Sequence, residues 1–349
     1  MLLFGKELGV AKDWEVRLRH RSTGDGWWKG SLPLQSRGHP IHQMKWTLPK
    51  TVLVNLFASA VLMAASSSTY SQERKPGSPV SSLPGDTVGE LVKLLRVRAS
   101  GLESSSGMRT GYQTFIAAHK LPPKSVRYSD YVLVRLLFEA TRDAGFWNLR
   151  WAITDQPPNS ERIWKQWQMV RKPTPLESTA TAECDELSAL YAFLVERTGV
   201  KSVGLLWPTP NHTVAVWVVH PATGPVVRVV VPTSQIFLDQ NDRFDTKKFN
   251  PWHQKTIYEY TRRDVPDSFE LPKSLFEFFL RQVDKFGGAS DTTLQQLRYL
   301  REGVYLKSWS PEQAASEALK RRSALGSGPA ADLEALQNFA QDMRSGAIR

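Results

Sequence analysis

The sequence predicts an α+β fold, and three observations lead there. The N-terminal half repeats apolar residues every three or four positions, as amphipathic helices do. From Ser202 the apolar period drops to two, and from Pro272 it returns to helical spacing. The expected architecture is a small antiparallel sheet packed on a central helix, with helices flanking it on both sides in sequence.

Taken in order, Asp86 or Thr87 caps a first helix whose stripe is Val88, Leu91, Val92 and Leu95. A second amphipathic segment spans Gly111 to Lys120 and stops at Leu121-Pro122-Pro123. A third, from Asp130 to Asp143, is strongly apolar, and a short helix carrying Trp164 and Trp167 starts at Asn159 or Ser160. The next helix begins at Cys184 and aligns Cys184, Leu187, Tyr191 and Leu194 on one face, with Gly199 as its C-terminal breaker. Strands follow near 202–207, 212–220 and 226–231. Helices then read over Leu275–Val283, Thr293–Arg301, Pro311–Arg322 and Ala331–Met343. There is no internal repeat.

The N-terminal 85 residues read differently. Met44 to Lys50 is short and basic, Thr51 to Ala65 carries no charge, and small residues follow at Ala64, Ala65, Ser66, Ser67 and Ser68. Residues 44–68 therefore read as a signal peptide, with an uncleaved anchor and a buried helix as the alternatives. On that reading translation starts at Met44, and residues 1–43 are either an upstream mis-assignment or a disordered extension. Residues 69–85, rich in Ser, Pro and Gly, read as a linker. The domain of interest is then 86–260, followed by a C-terminal helical region over 261–349. The expected location is periplasmic or secreted, with membrane attachment only if the anchor is retained.

Charge narrows the partners. The chain of 349 residues has a net charge of +11, but nine of its Lys/Arg and four of its Asp/Glu fall in the first 50 residues. Residues 66–349 keep 36 basic and 30 acidic groups, with no Lys/Arg block interleaved with aromatics, so no nucleic-acid partner is expected. No Gly-rich phosphate loop, Gly-x-Ser-x-Gly elbow or His-Glu-x-x-His helix is present, and a second cysteine for a zinc knuckle is lacking. No cofactor and no metal are implied.

Cys184 is the only cysteine, and it stands where a helix starts. A helix N-terminus lowers a thiol's pKa, and a nearby imidazole stabilises the thiolate. His212, 28 residues on, enters a strand from the loop Pro208-Thr209-Pro210-Asn211, whereas His119, His220 and His253 sit at breaks, turns or loops. The competing readings are a small buried hydrophobe for Cys184 and a hydrogen-bonded strand-end residue for His212. Trp147, Trp151, Trp164 and Trp167 either wall a substrate groove or belong to the core.

Ala182-Glu183-Cys184-Asp185-Glu186-Leu187, Asn211-His212-Thr213-Val214-Ala215-Val216-Trp217 and Val230-Val231-Pro232-Thr233 together resemble the cysteine helix, histidine strand and third motif of transglutaminase-like proteins of the papain-type fold. The resemblance covers roughly residues 125–240. It implies a papain-like core and an acyl-transfer enzyme in which the Cys184 thiolate attacks an amide of a protein or envelope peptide. His212 would protonate the leaving amine, and water or an amine would resolve the thioester. Val231 departs from that family, which has aspartate there to orient the histidine. Thr233, Ser234 and Gln235 are the nearest substitutes. The loss of the acid keeps a second reading open, a non-catalytic binding or scaffold protein on the same fold.

Overall fold

The computed structural model describes residues 86–234 and 242–347. The extension 1–43, the signal segment 44–68, the linker 69–85 and Gln235 lie outside the described residues. The fold is α+β. In chain order the elements are α1 (Val88–Leu102), α2 (Ser106–Ala118), α3 (Tyr128–Thr141), β1 (Leu149–Trp151), α4 (Glu161–Trp167), β2 (Ala180–Ala182) and α5 (Cys184–Arg197). Then come β3 (Val203–Thr209), β4 (His212–Val219), β5 (Val227–Val231), α6 (Lys273–Phe286), α7 (Asp291–Tyr305), α8 (Pro311–Leu325) and α9 (Ala330–Ala347).

Local signals account for most boundaries. The Thr87 hydroxyl accepts the Glu90 N–H at 3.3 Å and starts α1. Helix α2 begins five residues before the expected Gly111, because the Ser105 hydroxyl accepts the Met108 N–H at 3.5 Å. Gly107 in that first turn lies so close to the backbone that a Cβ would stand 3.1 Å from the Gly288 carbonyl oxygen. The parallel pair β1–β2 was not foreseen, since three residues per strand are too few to show alternation.

Strands β3, β4 and β5 form an antiparallel sheet in that order. The register shifts between Leu206 and Thr209, an irregularity suited to Pro208, which has no N–H to give the ladder. Both faces of the sheet are covered. Ala215, Trp217, Val219, Val229 and Val231 belong to the main core with Leu187, Leu190 and Leu194 of α5. Val214, Val216 and Val230 form a second cluster with Leu206, covered by Phe249 and Ile257.

The C-terminal helices complete the core rather than append to it. The rings of Trp147 and Phe279 of α6 stack with centroids 4.3 Å apart, and Trp167 meets Phe279 edge-on at 4.8 Å. Trp147, Trp164 and Trp167 are fully buried, so these three indoles are core and wall no groove; Trp151 is half-buried. Long-range ties cross residue 260: Val88 N–H donates to the Phe269 carbonyl at 2.9 Å, and Arg150 pairs with Glu302 at 2.7 Å. The described residues belong to one compact unit, with no gap in packing at the boundary expected near 260.

Gly204 tests this arrangement. A Cβ there would stand 2.2 Å from the Tyr258 carbonyl oxygen and 2.7 Å from the Ile257 side chain. Gly204→Ala is expected to destabilise the protein by about 1–3 kcal/mol, the usual range for overpacking, as measured by denaturant unfolding.

Candidate functional site

The start of α5 is built by carboxylates. Glu183 is the N-cap, and Glu186 returns its carboxylate to the Glu183 N–H at 2.9 Å. The same Glu186 oxygen accepts the Thr154 hydroxyl at 2.6 Å, while Glu183 accepts the backbone N–H groups of Thr154 at 3.3 Å and Asp155 at 3.1 Å. The loop after β1 is thereby tied over the helix start. Asp185 is half-buried and accepts the Glu186 N–H at 2.8 Å. Burial, then the charge of Glu183, pushes the Asp185 carboxyl up to about 7.

Cys184 lies at the first position of this helix and is only 5% exposed. Burial pushes its thiol up to about 11. The Thr213 backbone N–H at the sulfur opposes that shift, whereas the charges of Asp185 and Glu183 add to it. The expectation of a lowered thiol pKa is therefore reversed: desolvation and two carboxylates outweigh the helix start.

One turn on, the Ser188 hydroxyl donates to the Cys184 carbonyl at 2.7 Å, lies 3.3 Å from the Thr213 carbonyl and contacts the Thr233 hydroxyl at 2.7 Å. The cysteine helix, the start of β4 and the end of β5 thus meet at buried hydroxyls. Thr233, one of the residues expected to orient His212, serves Ser188 instead. The Ser234 hydroxyl is buried without a partner among the described residues. Ser188 stands four residues after Cys184 on the same helix face, which was the sequence signal for it.

His212 opens β4 as expected, but strand alternation places it with Val214 and Val216, on the face away from α5. Its ring packs against Phe249 with centroids 5.3 Å apart. Its Nδ1 is buried without a hydrogen-bond partner among the described residues, and no hydrogen bond joins it to the Cys184 thiol. Burial, reinforced by the charge of Lys248, lowers the imidazole to about 4. The structure brings the strand bearing His212 against the cysteine helix, yet the imidazole packs on Phe249 and makes no hydrogen bond to the thiol. Val231 pairs with Ala215 in the main core, with Leu187 and Leu190 of α5, and is fully buried. Among the described residues, no group of three or more His, Cys, Asp or Glu side chains could hold a metal ion.

Two outcomes follow from this geometry. Val231→Asp would place a carboxylate in a fully buried apolar position, and the cost is expected to be about 3–5 kcal/mol in unfolding measurements. His212 has a folded pKa of about 4, below the unfolded value of about 6.5. The unfolded chain therefore binds more protons between these values, so this group's contribution is complete above about pH 6.5 and is lost as pH falls through about 4. Comparing stability at neutral pH and near pH 4, His212→Gln is expected to lose about 1–3 kcal/mol less than the wild type.

No protein-family model, no curated protein and no solved structure matches this chain significantly.

Proposed function

We propose that this chain is a non-catalytic relative of transglutaminase-like proteins, an exported module that binds a protein or peptide in the cell envelope. The observation that carries the reading is that no hydrogen bond joins thiol and imidazole among the described residues: Cys184 is buried at the first position of α5, and the His212 ring packs on Phe249 with its Nδ1 unpartnered. A nucleophilic cysteine needs its base within hydrogen-bond reach and a thiolate near neutral pH. Here burial holds both groups in their neutral forms. The order of cysteine helix and antiparallel strands supports the papain-type assignment, and the basic and uncharged segments of residues 44–68 support a periplasmic or secreted location.

A second reading, a Cys-His acyl-transfer enzyme acting on amide bonds, is favoured by one contact. The Thr213 N–H near the sulfur offers a donor of the kind an oxyanion uses. In that reading Cys184 attacks the amide carbonyl, and His212 must move within hydrogen-bond reach of the thiol to protonate the leaving amine.

The rate of Cys184 alkylation by iodoacetamide against pH separates the two, with Cys184→Ser as the blank. The binding reading expects the rate to climb only toward a pKa of about 11 and to be the same in His212→Ala. A thiolate present below about pH 8 that disappears in His212→Ala would establish the enzyme instead.

A further inference from the structure

A cleft of about 950 Å³ opens between α2, the 243–248 segment and the start of α7, and no residue of α5 or β4 lines it. Its α2 wall is a row of exposed hydroxyls, Ser106, Thr110 and Thr114, spaced four residues apart and so on one helix face. The aromatic residues at its floor, Phe115, Tyr131 and Phe244, are 5%, 2% and 7% exposed. No ring in the cleft offers a face for stacking a base or a sugar. What remains is a trough of mixed apolar and polar surface whose hydroxyls can exchange hydrogen bonds with a peptide backbone.

The opposite wall presents Arg243, Lys247 and Lys248, all exposed, with Lys247 paired to Asp245. The carboxylates of the cleft are already engaged. Asp245 accepts from Lys247 at 2.9 Å and lies 2.7 Å from His119 Nε2; Asp332 accepts the Ser290 N–H at 2.6 Å and its hydroxyl at 2.8 Å; Asp291 pairs with Arg135. Arg243 has no ion pair or hydrogen bond among the described residues. The backbone that presents this wall is held in place: Asp245 takes φ 60°, a left-handed conformation Asp tolerates, and donates its N–H to the Val230 carbonyl at 3.0 Å.

We propose that this cleft binds an acidic peptide segment in extended form, a carboxylate facing Arg243 and its backbone facing the α2 hydroxyls. The proposal deepens the binding reading above by naming site and ligand, and it makes no use of the thiol, so the two fail separately.

Fluorescence anisotropy with a dye-labelled peptide alternating Glu and Ser, titrated with the full chain, tests it. The peptide is expected to bind, more weakly as salt rises, and Arg243→Glu is expected to weaken binding about tenfold or more, as loss of a steering charge does. Thr110→Tyr, which fills the trough from the exposed side of α2, should abolish binding, and both variants should keep the wild-type Tm. The proposal is overturned if the wild type does not bind, if a Lys-for-Glu peptide binds equally, if either variant binds like wild type, or if oligogalacturonate of matched charge competes as well as the peptide. Binding lost in Cys184→Ser would move the ligand to the thiol and overturn the cleft, while leaving the binding reading in place.

Discussion

Helix α5 is buried along its whole length from Glu186 to Val195, enclosed by the sheet on one side and by α3 and α4 on the other. The Tyr191 hydroxyl bonds the Val134 carbonyl, and Trp164 packs edge-on against Phe193. A helix enclosed in this way cannot leave its first N–H groups to water. Its N-terminus must be satisfied by protein groups. Glu183, Asp185 and Glu186 do that, and in doing so they surround Cys184 with negative charge. The chemistry of the thiol follows first from the burial of the central helix and then from the charges that cap it.

The magnitudes show which effect wins. A helix N-terminus stabilises a nearby anion by about 0.3–1 kcal/mol at exposed sites, rising to about 2 when partly buried. Shifting the thiol from its ordinary value of 9.0 to about 11 costs the thiolate about 3 kcal/mol at fixed pH. The dipole is offset before any base is considered. His212, itself held neutral, supplies no cation to compensate.

Much of this was legible in the sequence. The cap at Thr87, the helix start at Cys184, the breaker at Gly199 (φ 89°) and the three strands from Ser202 all follow from local chemistry that tertiary packing leaves in charge. The face on which His212 lies was not legible, for a specific reason. Thr213 to Trp217 is buried on both faces of the sheet, so apolar residues occupy both parities and alternation carries no information about which side meets α5. The engagement of Thr233 with Ser188 was hidden too, because it depends on where the end of β5 falls against α5, a contact across 45 residues.

The ties between distant parts of the chain bear on how the protein is made. Val88 is hydrogen-bonded to Phe269, Leu271 to Asp86, and Arg150 reaches Glu302 across 152 residues. Contacts of such separation must wait for loop closure and cannot form while the later segments are still in the ribosome. The cysteine helix and its sheet therefore emerge well before α6 arrives to cover Trp147 and Trp167. During synthesis those indoles stay open to solvent, so the nascent chain remains incompletely folded until its last third has emerged.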